Sequence, residues 1–325
     1  MNKINRDNTI DIMKGILIIL VVAGHAQIPC HRLIYLFHMG TFFMISGYLF
    51  SNKKGSISIN NVFFRKTRSL YYPYVICNLI CLFCFLVIPE IFDVKLCDNS
   101  IIGIGKHIIK ILLFRGRCSL SGPTWFIAVL FFVSIAYAIL WKILYNITFF
   151  NETKKHIVIF IISLLSLFIG YACYTLSFNF YQIGTMFSVF SVFHLGYIVK
   201  LFFDKNIKIL NKKIINVSVL IISFSILILL LYMSKTEIRL IDNIIVNPLY
   251  FYFASLAGWF FCYYSAKFIN GFPLIKKIIS YIGMNSLYIM AFHFFSFKIV
   301  AFMQCCYLNI EIDNISAFPV VDKSG

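Results

Sequence analysis

The sequence predicts an all-α fold: a polytopic integral membrane bundle of about nine transmembrane helices plus a short interfacial or re-entrant helix. Three observations carry this. Of 325 residues, 61% are hydrophobic and 13% charged, where soluble domains average about 45–50% and about 25%. The mean hydropathy is +0.88. The apolar residues gather into nine runs near the ~20 residues that span a bilayer, joined by short connections. A disordered chain is excluded by 37 Phe and 19 Tyr. The length excludes a small secreted disulfide scaffold, and the short connections exclude a separate soluble domain.

The first run, 9–28, follows Lys3 and Arg6, and Gly24-His25-Ala26 is loosely small-x-small. Asp7, Asp11 and Lys14 interrupt that start and eight more runs follow, so it reads as a retained span rather than a signal peptide. The second run is 33–50 and the third 70–89. Cys77, Cys81 and Cys84 share one face of the third, with no His or acidic residue on that span. They read as small packing residues, and no metal site is expected. Residues 101–114 are apolar but only fourteen long and carry Lys106, His107 and Lys110. That is too short to span, so the segment is expected to lie at the outer interface. The remaining runs are 123–144, 156–176, 180–200, 214–233, 244–266 and 278–304. The expected organisation is one membrane domain over 1–304 and a polar C-terminal tail over 305–325.

The formal net charge is +17. No basic stripe interleaves with aromatics on a polar surface, so no nucleic-acid partner is expected. The basic residues instead cluster in four loops: Lys53, Lys54, Arg65, Lys66 and Arg68; Lys154 and Lys155; Lys200, Lys205, Lys208, Lys212 and Lys213; and Lys267, Lys276 and Lys277. With nine spans all four fall on the side of the N-terminus, which the positive-inside rule makes cytoplasmic. The abundance of Lys, Ile, Asn and Phe suggests an AT-rich bacterial genome, hence a bacterial inner membrane.

Ionisable residues inside a span are costly and mark functional sites by default. At about 100° per residue, Asp7, Asp11, Lys14 and His25 all project from one face of the first span. Lys14 and His25 lie eleven residues apart, or ~16 Å along a helix axis. A cation near the cytoplasmic mouth and an imidazole towards the outer side suit a long ligand with an anionic end and a reactive end. A structural Asp–Lys pair with a separately bonded His fits the same pattern equally well.

Three motifs in order carry a resemblance. Arg6-Asp7 and Ile10-Asp11-Ile12-Met13-Lys14-Gly15 lead to Val21-Val22-Ala23-Gly24-His25. Phe37-His38-Met39-Gly40 runs on to Ser46-Gly47-Tyr48-Leu49-Phe50, and Arg65-Lys66-Thr67-Arg68 follows. Thr124-Trp125-Phe126-Ile127 and Gly283-Met284-Asn285-Ser286-Leu287, ending at His293, come later. The chain resembles the acyltransferase 3 family of integral membrane O-acyltransferases, in its fucose 4-O-acetylase-like branch. The resemblance implies transfer of an acetyl group from acetyl-CoA, as donor and not as a permanently bound cofactor, to a hydroxyl of a glycan acceptor. The acceptor would be a cell-surface polysaccharide or its lipid-linked precursor. It implies His25 as the catalytic residue and Lys14, Arg65 and Arg68 as donor-binding residues. The family usually has ten spans, so Phe318 to Gly325 reads as the loop before a missing tenth.

The chemistry suits these assignments. A sugar hydroxyl needs a base within ~3 Å, and imidazole titrates near neutral pH. Arg binds phosphate bidentately, and Arg65 and Arg68 are placed on the cytoplasmic side. Asp11, His38, Tyr48, Trp125 and His293 are expected to line the substrate cavity or shape it. For Tyr48 a role in shaping the fold is the reading beside it, and for Trp125 the interfacial aromatic belt. His194 sits in a span with no evident partner; His31, His107 and His156 read as surface residues. A polytopic transporter or glycan flippase is the alternative. The chain lacks the paired interruptions in two halves that such folds often carry.

Overall fold

The computed structural model describes residues 8–51, 58–89, 95–210, 213–234 and 238–308. Among these residues the fold is all-α, with one isolated antiparallel bridge between Arg239 and Ile244. Twelve α-helices follow in order: α1 Asn8–His25, α2 His31–Tyr48, α3 Ile59–Lys66, α4 Tyr72–Val87, α5 Ile101–Leu112, α6 Trp125–Asn146, α7 Glu152–Thr175, α8 Ile183–Leu210, α9 Lys213–Met233, α10 Pro248–Ile269, α11 Pro273–Met284 and α12 Ser286–Leu308. They fall into two compact units, one of Met1–Val62 and Phe132–Ser286, the other of Phe63–Phe131 and Leu287–Gly325.

Among the described residues seven helical segments are long and apolar enough to cross a membrane. They correspond to seven of the nine predicted runs. The other two, α2 and α10, have the length, but α2 carries Tyr, His and Gly and α10 is rich in Tyr. They are also heavily buried, with the whole of Phe42 to Ile45 out of contact with the surroundings. The physical reason is the environment each helix meets. α9 buries only 17% of its most apolar window and so must be apolar all round, whereas α1 buries 56% of its window and carries Asp11 and Lys14.

In the first unit α1 packs on α2, α10 and α11, α2 packs on α8 and α10, α7 on α8, and α9 on α10. Glycines let these backbones meet. A Cβ on Gly47 would run into the Phe193 carbonyl of α8, and one on Gly196 of α8 into the Met44 carbonyl of α2. This reciprocal pair is the small-residue packing that replaces the hydrophobic effect in lipid. Gly15 of α1 and Gly283 of α11 do the same against Ile279 and Asp11. Thr41 Oγ1 then donates to the Ser255 carbonyl at 3.3 Å, and Lys200 Nζ to the Phe50 carbonyl at 3.0 Å.

In the second unit Phe114 packs its ring against Tyr74 at 4.7 Å and Phe131 at 5.3 Å. Tyr71 Oη donates to the Leu112 carbonyl at 3.1 Å, tying the turn before α4 to α5. Cys77 Sγ donates to the Ala291 carbonyl of α12 at 3.4 Å, and Cys77 and Cys81 are buried.

Several elements differ from the expected boundaries. The third span starts earlier: helix runs from Ile59 through a π-helical turn, Thr67–Tyr71, into α4. Pro73 lacks an N–H and its ring would strike a carbonyl four residues back, and the wider turn absorbs this. The run 278–304 is two helices, broken at Asn285, which turns out of helical geometry at φ −99° and ψ 10°. The first span ends at His25, because Gln27 adopts a left-handed φ of 53° and Pro29 follows. The segment expected at 101–114 is α5, capped by Ser100, whose Oγ accepts from the Gly103 N–H at 3.0 Å. α12 runs to Leu308, past the expected boundary at 304, and the rest of the 305–325 tail lies outside the described residues, as do Arg6, Asp7, Lys53 and Lys54.

Candidate functional site

Asp11, Lys14, His25, His38 and Tyr48 belong to the first unit, and Arg65, Arg68, Trp125 and His293 to the second.

Near the start of α1, Asp11 is buried and its Oδ1 lies 3.5 Å from Lys14 Nζ; the Lys14 side chain keeps 23% of its exposure. The pair spans i to i+3, which brings both side chains to one face. This is the structural Asp–Lys pair that the sequence left open, yet an ammonium has three donors and this bond uses one. A cavity of about 910 Å³ is lined in part by Asn8, Asp11, Lys276, Lys277, Ser280 and Tyr281. In the sequence Lys276 and Lys277 read only as topology charges.

His25 is the last residue of α1 and is half-buried. α2 begins six residues later and doubles back, so its first turns flank the imidazole. The Tyr35 hydroxyl lies 3.3 Å from His25 Nδ1 and 3.3 Å from the Gly24 carbonyl. The two rings meet edge-on, with centroids 5.9 Å apart. Tyr35 also meets His38 at 5.4 Å and His31 at 6.1 Å. His38 is buried, and its Nδ1 lies 2.7 Å from the Ile34 carbonyl. A carbonyl only accepts, so Nδ1 carries the hydrogen and the lone pair of His38 is on Nε2. His25, Tyr35 and His38 thus form a row of rings at one end of α1 and α2. Sequence reasoning misses Tyr35. The available signal is its place three residues before His38, on the same helix face.

Tyr48, expected to line the cavity or shape the fold, ends α2 inside an aromatic cluster. Its ring lies 5.5 Å from Trp259 and 6.4 Å from Phe203. Trp259 stacks in turn on Tyr263, further along α10, at 4.9 Å. The packing role is the one this geometry expresses.

In the second unit Arg65 and Arg68 are exposed, Arg65 at the end of α3 and Arg68 in the π-helical turn. Trp125 opens α6 and is buried at 7% exposure. Behind the segment that delivers it lies a polar network. Ser121 Oγ donates to Asn78 Oδ1 at 2.7 Å, Asn78 Nδ2 to the Tyr74 carbonyl at 2.8 Å, and Thr124 Oγ1 to the Ser121 carbonyl at 2.7 Å. These buried groups fix the turn Gly122–Thr124, because an unpaired polar group there would cost several kcal/mol, roughly 2–7. His293 is buried on α12 with Nδ1 2.9 Å from the Met290 carbonyl and its ring 4.5 Å from Phe294.

Three other histidines depart from expectation. His194 has a partner, the Tyr137 hydroxyl, 2.7 Å from its Nδ1. His156 is not a bare surface residue, since its ring lies 5.1 Å from Trp141 and stacks on Tyr197 at 6.1 Å. His107 is buried at 5% exposure beneath the exposed Lys106 and Lys110 of α5. Burial, with the Lys110 charge added, holds its imidazole below the usual range.

Comparison with known proteins adds two findings. A family model described as an acyltransferase domain, of the acyltransferase 3 group, matches residues 7–319. The nodulation protein NolL of Sinorhizobium fredii is 50% identical over 60 aligned positions, which take in 14% of this chain and 16% of that protein. The chain thus matches only a small part of that curated relative's length. No solved structure matches.

Proposed function

Because the chain belongs to the acyltransferase 3 family, we propose that it is a membrane O-acetyltransferase. In this reading it moves an acetyl group from acetyl-CoA to a sugar hydroxyl of a cell-surface polysaccharide or its lipid-linked precursor. It sits in a bacterial inner membrane with its N-terminus in the cytoplasm. The observation that carries the reading is the furnishing of α1, in a chain matched to the family over 7–319. An imidazole closes one end of that helix, at His25, and a paired but incompletely used ammonium, Lys14, lies eleven residues earlier.

The roles follow from chemistry. Nε2 of His25 takes the proton of the acceptor hydroxyl as its oxygen attacks the thioester carbonyl. The C–S bond breaks, an ester C–O bond forms, and the proton passes from Nε2 to the leaving sulfur, so CoA departs as a thiol and His25 is restored. Lys14, Arg65 and Arg68 hold the phosphates of the donor; the two exposed guanidiniums meet a soluble anion without first being unpacked. His38, Trp125 and His293 contribute to the walls around donor or acceptor, and Asp11 holds Lys14.

The test is transfer of radiolabelled acetyl from acetyl-CoA to surface glycan in membranes holding the chain or its His25→Ala variant. Label that depends on His25 is expected. Equal labelling in both would remove His25 from the chemistry, and transport of glycan without any labelling would turn the reading to a flippase.

A further inference from the structure

We infer that Tyr35 is a positioning residue that sets the tautomer of His25; this rests on the reading of His25 as the base. The geometry is a three-member chain, His25 Nδ1, Tyr35 Oη and the Gly24 carbonyl oxygen, with both links at 3.3 Å. A tyrosine hydroxyl has one hydrogen and two lone pairs, and a carbonyl oxygen can only accept. The chain therefore closes in one sense with both bonds made: His25 Nδ1–H donates to Tyr35 Oη, and Tyr35 O–H donates to Gly24. In the opposite sense Tyr35 donates to Nδ1 and the Gly24 link is lost.

The doubly bonded sense leaves the lone pair of His25 on Nε2, the nitrogen turned away from Tyr35. That is the form a base must have. When Nε2 takes the acceptor proton, the imidazolium charge is shared with Nδ1–H, which still points at a lone pair of Tyr35. No proton on Tyr35 moves, so the residue is unchanged through the cycle. The edge-on contact of the two rings limits imidazole rotation, and His38 packs against Tyr35 at 5.4 Å. The Gly24 carbonyl is held by the end of α1, where it also accepts from the Gln27 N–H at 3.1 Å. The acceptor at the end of the chain is thus rigid backbone.

Tyr35→Phe removes the hydroxyl and keeps the ring. In full-length protein reconstituted in lipid, the expected result is a fall in kcat of about tenfold, less than the about 10²–10⁴ of a whole general base because His25 itself remains. KM for acetyl-CoA should stay within about twofold, because Tyr35 touches neither phosphate nor pantetheine in this reading. Solid-state NMR on ¹⁵N-histidine protein, with His25→Gln to assign the signal, should show Nδ1 protonated in the wild type. In Tyr35→Phe it should show a shift towards the Nε2–H form. Wild-type His25 protonated mainly on Nε2 overturns the proposal, whether or not the variant folds. So does a variant that turns over at the wild-type rate, or one whose whole loss lies in KM. The NMR result is independent of glycan transfer, so a wild type that is inactive but carries Nδ1–H leaves Tyr35 in place and removes only the reading of the reaction.

Discussion

Lys14 Nζ stands 3.5 Å from Asp11 Oδ1, one turn away on a helix whose last residue is His25. The carboxylate is buried and the ammonium only partly so. Lys14→Gln therefore leaves a buried charge with one cation fewer. It should cost about 1–3 kcal/mol of stability, below the cost of breaking a fully buried pair because water still reaches Lys14. Lys14→Arg should restore both stability and acetyl-CoA binding. Thermal unfolding in detergent and the KM for acetyl-CoA read the two consequences separately. A Gln variant as stable as wild type, with its KM unchanged, would remove Lys14 from both roles.

Arg68 offers a cleaner division. Its side chain is exposed in the π-helical turn, so Arg68→Ala should leave unfolding within ±0.5 kcal/mol or so. KM for acetyl-CoA should rise about tenfold, the cost of one lost charge-assisted bond of ~1.4 kcal/mol, with kcat kept. The comparison donor is acetyl-pantetheine, which has no phosphates: its KM should be the same in both proteins. A KM that rises equally for both donors would count against phosphate binding.

Gly47 and Gly196 each lie against a carbonyl of the other's helix. Ala at either position must push α2 and α8 apart, which overpacking studies put at about 1–3 kcal/mol. The two sites share one interface, so the double variant should cost less than the sum, since the first Ala already opens the gap. Unfolding of the four proteins in one detergent decides this; additive losses would mean that the two contacts are independent.

His107 makes α5 acid-sensitive. Its pKa in the fold is lowered by burial first and the Lys110 charge second. The unfolded chain therefore binds a proton at a pH where the folded chain does not. The stability is fully present above the ordinary imidazole value of about 6.5 and is lost as the pH falls below it towards the folded value. His107→Gln should flatten stability between pH 7 and pH 5. An unchanged pH dependence in that variant would place the acid sensitivity elsewhere.

Much of the site was legible because motif spacing survives in one dimension. His25, Lys14 and Asp11 could be placed on one face from their separations, and α1 keeps them on a single helix. Tyr35 was not legible, because its role depends on how α2 doubles back after Gln27, and a left-handed φ at a Gln has no strong sequence signal. His194 looked partnerless because Tyr137 lies 57 residues away on α6. His107 looked exposed because its two flanking lysines dominate the local charge.

By itself the sequence determined the class of fold, the order of the long helices and the family, because a bilayer demands runs of ~20 apolar residues and makes every interruption conspicuous. It did not determine where the helices break or which side chains meet. The split at Asn285, the Gly47–Gly196 contact and the Tyr35–His25 link belong to the tertiary structure. In lipid the helices gain little from hiding apolar surface from one another, so close backbone approach and a few directed hydrogen bonds decide their partners. Those contacts depend on three-dimensional shape, which composition and periodicity do not record.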